Sequence, residues 1–209
     1  MTAAPLPPYH VFPDFLDVRQ HEALLHLALA SEGDFSPATV VAGTKEVVDT
    51  GQRTSRKRKG GLGALKETFS DRVRGAAELM FAKTGVPQAE IWKLELELVA
   101  HNDGDRFGRH IDTLTGDPAG DREATRSARL LSGVYYFYQE PRGFTGGELR
   151  VHRFGGDGGP GNFVDIDPAQ NSFVVFPSFA SHEVLKVSCP SRLFQRSRFS
   201  VNCWIHRRL

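Results

Sequence analysis

Two hydrophobic periods divide the chain. In RQHEALLHLALA (residues 19–30) leucines and alanines recur at helical spacing, and Asp17 with Gln20 has the form of a capping box. A second helix is predicted over residues 64–83, where Leu65, Phe69, Val73, Ala76 and Met80 share a face. Gly85 and Pro87 then supply stop signals. After Pro87 the period becomes two: in IWKLELELVA, Trp92, Leu94, Leu96, Leu98 and Ala100 alternate with charged or polar neighbours. Strand-like runs follow at LLSGVYYFY, GGELRVHRF, NFVDID, NSFVVF, HEVLKV and RFSVNCWIH, separated by Gly/Pro-rich turns. Short strands after two helices predict an α+β, mainly β fold, a sandwich or small barrel buttressed by the N-terminal helices. One domain is expected over residues 1–209, with 1–90 as helical support and 91–209 as the β core.

Two segments interrupt this pattern. DTGQRTSRKRKGG (residues 49–61) carries a basic run that reads as a solvated mobile loop, with a grip on an acidic partner as the alternative. GGDGGPG (residues 155–161) is glycine-rich, but a strand follows it rather than a helix, so it reads as a hairpin connection and not a phosphate loop.

Composition narrows the class. Apolar residues at 40% and charged residues at 24% are those of an ordinary globular protein, and a net charge of +1 gives no global pull toward nucleic acid or membrane. No apolar stretch reaches the length of a transmembrane helix, and MTAAPLPPYHVFPDF has no signal-peptide pattern. Cys189 and Cys203 are too few for a disulfide framework, so a reduced, cytoplasmic setting is expected.

The candidate chemistry starts at FGRHIDTLTGD, where His110 and Asp112 lie two positions apart. On a strand or at its end, positions i and i+2 point to one face and offer an imidazole and a carboxylate to one centre. With eight histidines and 13 aspartates, chance alone yields roughly half an H-x-D, and a second copy exists at His101-Asn102-Asp103. The motif by itself decides nothing. His182, which opens a strand after a Pro-containing turn in FPSFASHEV, is the best third ligand. Two histidines and one carboxylate on one side of a metal form the facial arrangement of non-haem Fe(II) oxygenases; a satisfied, partly buried histidine is the plainer reading of His182.

The last strand adds a second feature. In RFSVNCWI, alternation puts Phe199, Val201, Cys203 and Ile205 on a core face and Arg198, Ser200, Asn202 and Trp204 on the other. If that second face lines an interior, Arg198 requires an anionic partner there; if it meets solvent, the alternation is ordinary.

Together, HIDT near 110, VYYFY at 134–138, GGELRVH at 146–152, VDIDPAQNSFVVFPS with HEV up to 184, and RFSVNCWI closely resemble, in order, the Fe(II)- and 2-oxoglutarate-dependent oxygenases of the prolyl 4-hydroxylase type. The resemblance covers residues 91–206 strongly and the N-terminal helices loosely. It implies a double-stranded β-helix, a jelly-roll-like barrel, as the catalytic core. It also implies that His110, Asp112 and His182 are the metal ligands, with no other catalytic residue beyond the iron centre. Arg198 and Tyr136 match residues that hold the distal carboxylate of 2-oxoglutarate, and Val134, Val184 and Trp204 match walls of that pocket. Asn202 stands where Thr is frequent, and His101 where a cosubstrate-contacting Tyr is frequent. Arg129, Arg53 and Arg56 are taken as substrate-facing. The cofactors implied are Fe(II), 2-oxoglutarate and O₂, with ascorbate as an accessory.

Arg198 follows His182 by 16 positions, a longer interval than is common in the family, while Arg192 follows it by ten. FSVNCWI continues directly from Arg198, so CPSRLFQRS reads as an insertion. Asn102-Asp103-Gly104 is a turn signal that turns Asp103 away from His101. The activity implied is hydroxylation of a prolyl residue in a peptide or protein, with a free amino acid or small metabolite as the near rival. A metal- or ligand-binding barrel acting as a sensor is the non-enzymatic alternative. Arg192 and Arg198 also form an R-x5-R spacing seen in nucleic-acid demethylases, but five arginines between 192 and 208 and near-neutral charge argue against nucleic acid.

Overall fold

In a computed structural model of the chain, the described residues are 4–42, 45–113, 127–155, 159 and 161–209. The first half holds β1 (His10–Phe12), α1 (Val18–Ala30), β2 (Phe35–Pro37), β3 (Val40–Ala42), β4 (Lys45–Val47), β5 (Arg56–Arg58) and α2 (Lys66–Thr84). Strands dominate the rest: β6 (Lys93–His101), β7 (Phe107–His110), β8 (Ser127–Phe137), β9 (Thr145–Gly146), β10 (Leu149–His152), β11 (Phe163–Ile166), β12 (Ser172–Pro177), β13 (His182–Val184), β14 (Val187–Ser188) and β15 (Arg198–Arg208).

The predicted caps are present. Asp17 accepts from the Gln20 amide at 2.8 Å while the Gln20 side chain accepts from the Asp17 amide, and α2 ends at Gly85 in the left-handed region. A seven-stranded antiparallel sheet runs β1-β12-β8-β15-β6-β5-β2, and a four-stranded antiparallel sheet runs β11-β10-β13-β7. One face of the larger sheet packs on the helices. Phe137, Phe173, Phe199, Val201 and Cys203 meet Leu24 and Ala28 of α1 and Phe69, Val73 and Met80 of α2 in one buried core. The alternation read in RFSVNCWI therefore holds, with its apolar set in this core and Arg198, Asn202 and Trp204 on the opposite face. No helix of the described residues is long and apolar enough to cross a membrane.

Two expectations are corrected. The basic run is not a solvated mobile loop: Arg56–Arg58 form β5, paired with β2 and with Val99 and Ala100 of β6. Two of its charges are met within the fold, Arg58 by Asp34 at 3.0 Å and Ser31 at 2.7 Å, Lys57 by Glu97 at 3.6 Å and Thr39 at 2.9 Å. A three-residue strand is too short to show a period of two, and partners distant in sequence compensate its charge. For the same reason the helical-support reading of residues 1–90 is incomplete, since β1, β2 and β5 are strands of the larger sheet. The glycine-rich connection joins β10 and β11, which pair antiparallel as a hairpin does, although residues 156–158 and 160 of it lie outside the described residues.

Candidate active site

The face of the larger sheet turned away from the helices forms one side of a recess, and the four-stranded sheet lines the other. Pairing registers place Arg198 opposite His101, Asn202 opposite Glu97 and Trp204 opposite Glu95, with Tyr136, Val134 and Ser132 of β8 alongside Ser200, Asn202 and Trp204. The recess therefore runs from a buried basic end at Arg198 to Trp204.

His110 ends β7, Asp112 follows it, and His182 opens β13, where it pairs directly with His110. One ligand atom from each of the three residues lies within 4.8 Å of the others. The Nδ1–H of His110 donates to the Gly108 carbonyl at 2.8 Å, and that of His182 to the Ala180 carbonyl at 2.9 Å. A carbonyl can only accept, so in each neutral ring the lone pair is on Nε2. Those Nε2 atoms lie 3.5 Å from Oδ1 and 3.5 Å from Oδ2 of Asp112. Lone pairs then face a carboxylate, an arrangement that a cation between them relieves. Burial opposes the charged form of Asp112, but His182, His110 and the Ser132 hydroxyl outweigh it and hold the carboxyl well below its usual range. Burial pushes His182 down to about 4, against the attraction of Asp112, so the ring is neutral at pH 7. The donor set suits a divalent metal.

At the other end Arg198 is 1% exposed, and among the described residues no carboxylate lies within salt-bridge distance of it. Its Nη1 donates to Nδ1 of His101 at 3.2 Å, and its Cζ lies 4.7 Å from the ring centroid of Tyr136. Arg198 Nε and Nη2, the Tyr136 hydroxyl and His101 Nε2 are buried with no hydrogen-bond partner among the described residues. Because the guanidinium only donates, His101 Nδ1 accepts and Nε2 carries the proton. Burial, then Arg198 and Arg53, hold the His101 pKa well below its usual value. Burial lowers the pKa of Arg198 and raises that of Tyr136. Several buried donors without an acceptor call for an anion.

Of the other residues singled out from sequence, Val134, Val184, Asn202 and Trp204 line the same recess. Arg129 lies over the Trp204 ring at 4.3 Å, pairs with Glu95 at 2.8 Å and donates to the Asp112 carbonyl at 3.2 Å. Arg53 borders the recess but is buried, and Arg56 lies elsewhere, over the Phe194 ring at 4.9 Å. Arg192 is exposed in a turn, paired with Asp103 at 3.1 Å. Asp103 also accepts from the Cys189 amide and is not joined to His101, so the second H-x-D is no ligand pair. Sequence reasoning missed Ser132, which donates to Asp112 Oδ2 at 2.6 Å, and Phe107, whose ring stacks on His110 at 3.8 Å. Ser132 stands two and four positions before Val134 and Tyr136 and so shares their strand face, but only the fold brings it to Asp112.

Over residues 96–206 the chain matches a family model described as the 2OG-Fe(II) oxygenase superfamily. A curated relative, an uncharacterized PKHD-type hydroxylase of Synechocystis sp., is 30% identical over 96% of this chain, which spans 64% of that relative's length. Among solved structures, a Pseudomonas putida prolyl-4-hydroxylase superposes with a TM-score of 0.66 at 21% identity, covering 97% of this chain and 94% of that one. A Trichoplax adhaerens prolyl hydroxylase in complex with a hypoxia inducible factor peptide fragment gives 0.67 at 18% identity, covering 95% and 83%. At these identities the structures support the fold.

Proposed function

Because the chain belongs to the 2OG-Fe(II) oxygenase superfamily, we propose that it is a dioxygenase that hydroxylates an unactivated C–H bond of a prolyl residue in a peptide or protein. The observation that carries the reading is Arg198, a buried guanidinium whose free donors lie beside those of Tyr136 and His101, in the recess that also holds the His110–Asp112–His182 cluster. A metal-sensing barrel has no use for an unpaired cation there. A dicarboxylate cosubstrate supplies its partner. In this reading residues 1–209 are one catalytic domain, and the two sheets are the walls of a double-stranded β-helix.

When bound, Fe(II) with 2-oxoglutarate and O₂ would supply the oxidising chemistry for hydroxylation of the C–H bond. The protein's own part is binding and orientation. His110, Asp112 and His182 would hold the metal, offering two Nε2 lone pairs and a carboxylate. Carbonyls of Gly108 and Ala180 keep both imidazoles in the ligating tautomer. Arg198 offers Nε and Nη2 to the distal carboxylate as charge-assisted donors, and the Tyr136 hydroxyl adds another. Val134, Leu149 and Val184 give the recess apolar walls.

The prolyl assignment is supported by the two structural neighbours, one described as a prolyl-4-hydroxylase and the other as a prolyl hydroxylase holding a peptide fragment. The test is succinate release by purified protein with Fe(II), ascorbate and 2-oxoglutarate, alone and then with proline-containing peptides. Stimulation by such peptides, with a gain of one oxygen on proline, supports the reading. Stimulation by free amino acids or small metabolites instead moves the activity to a small-molecule hydroxylase. Failure to bind 2-oxoglutarate leaves a metal-binding barrel.

A further inference from the structure

We infer that Arg53 is a positioning residue for His110, acting through the ring of Phe107; this rests on the reading of His110 as a metal ligand. Arg53 was a candidate substrate contact by sequence, but its donors are committed. Nε donates to Ser55 Oγ at 2.8 Å, Nη1 to the Thr39 carbonyl at 3.2 Å and Nη2 to Glu97 Oε2 at 3.4 Å, and the side chain is 5% exposed. So anchored, its Cζ lies 4.9 Å from the centroid of the Phe107 ring. That ring in turn lies 3.8 Å from the imidazole of His110, inclined by 17°.

The backbone makes the same connection. Arg53 and Phe107 form an isolated β-bridge, the Gly108 amide donates to the Gln52 carbonyl at 2.7 Å, and the Thr54 amide donates to the Arg106 carbonyl at 3.1 Å. The turn before Arg53 is closed by its own amide donating to the Asp49 carbonyl at 2.8 Å. Glu97 belongs to the seven-stranded sheet, whereas Phe107 and His110 belong to the four-stranded one. Arg53 thus spans the two sheets beside the ligand cluster.

His110 needs such a support. Its Nδ1–H bond to Gly108 fixes the tautomer, but rotation of a histidine ring about its last torsion lies in a broad well, so one hydrogen bond leaves the ring free to tilt. A stacked aromatic removes that freedom, and a cation held over the aromatic fixes it in turn. The outcome is a lone pair aimed where Asp112 and His182 meet it. Partners that orient metal ligands in this way typically govern 10–100-fold of metal affinity.

The test uses the full chain and Co(II), whose visible absorption reports the ligand field, with apoprotein melting measured in parallel. Phe107→Leu and Arg53→Met should each raise the Co(II) dissociation constant about tenfold and alter the Co(II) spectrum, with apoprotein melting held within a few degrees. Phe107→Tyr, which keeps the ring, should restore wild-type affinity. The double variant should lose no more than the larger single change, because the two residues act in series. Should Arg53→Met fail to fold, Arg53→Lys keeps the charge beside Glu97 but loses the planar fork, and should weaken Co(II) binding in a folded protein. Wild-type Co(II) affinity in folded Phe107→Leu and in whichever Arg53 variant folds, or effects that multiply in the double variant, would overturn the inference. His110→Ala separates the two levels: if it retains stoichiometric Co(II), the ligand assignment itself has failed, whereas if it loses Co(II) while the Arg53 and Phe107 variants bind normally, only the positioning role has.

Discussion

Ser132 Oγ donates to Asp112 Oδ2 at 2.6 Å from the strand on the opposite wall of the recess, and the same hydroxyl lies 3.0 Å from Ser178 Oγ. The bond fixes the carboxylate between the two imidazoles and favours its charged form. Ser132→Ala should therefore weaken divalent metal binding by about 10–100-fold, as is typical when a ligand's supporting hydrogen bond is removed. The check is a Mn(II) or Co(II) titration of the folded variant. An unchanged dissociation constant removes Ser132 from the site.

Arg198 separates an oxygenase from a generic metal-binding fold. Removing one member of a buried charge pair costs on the order of 2–5 kcal/mol. Arg198→Ala should accordingly raise the 2-oxoglutarate dissociation constant by more than tenfold and leave metal affinity nearly unchanged. Arg192, 80% exposed and paired with Asp103, should change neither affinity when replaced by Ala. Calorimetric titration of 2-oxoglutarate into the Mn(II)-loaded variants distinguishes them, and a large loss from Arg192→Ala alone would reverse the assignment.

The long elements were legible in the chain because each carries enough residues to show its period. Asp17 and Gln20 marked the start of α1, and the alternation through RFSVNCWI put Arg198 on one face and Phe199 on the other, as the structure has them. Arg56–Arg58 were misread because three residues cannot display a period and their counter-ions, Asp34 and Glu97, are distant in sequence. Alternation puts Arg198 on the face opposite the core without deciding whether that face is interior, and its free donors become visible only once Tyr136 and His101 are packed beside it. Ser132 and Phe107 escaped notice for a related reason. A serine on a strand and a phenylalanine before a histidine are ordinary until folding places them against Asp112 and His110.

A pH signature should come from Glu95, which pairs with Arg129 at 2.8 Å and with His206 at 3.1 Å. Burial alone would raise its pKa, but the hydrogen bond from His206 and the charge and hydrogen bonds of Arg129 lower it from 4.5 to about 2. The folded value lies below the unfolded one, so the pair's stabilisation is complete above about 4.5 and is lost as pH falls toward 2. With its partial exposure discounted, the contribution is on the order of 2–3 kcal/mol. Glu95→Gln should be less stable than wild type by about that amount at pH 7, and the gap should close between pH 5 and 2. Urea unfolding at several pH values measures it; a gap that stays constant down to pH 3 would contradict the role of this charge.

Gly147 tests whether the buried end of the recess is built around Arg198. Its φ is +75°, and a Cβ added there would lie 2.7 Å from Arg198 Cδ and 2.8 Å from Val187 Cγ2, both belonging to buried side chains. Two costs follow from Gly147→Ala. The left-handed backbone costs about 1–2 kcal/mol for a residue with a Cβ, and overpacking adds roughly 1–3 kcal/mol. The second cost falls on Arg198, whose guanidinium must shift to make room. Gly155 provides the control, because its φ is +66° but nothing among the described residues lies within 4 Å of an added Cβ. Gly155→Ala should therefore show the backbone cost alone, with 2-oxoglutarate binding intact. Gly147→Ala should be the less stable of the two and should bind 2-oxoglutarate several-fold more weakly, while both retain wild-type metal affinity. Denaturant melts and parallel titrations of metal and 2-oxoglutarate supply the comparison. If Gly147→Ala loses stability without losing 2-oxoglutarate affinity, the guanidinium is not held where the carboxylate binds.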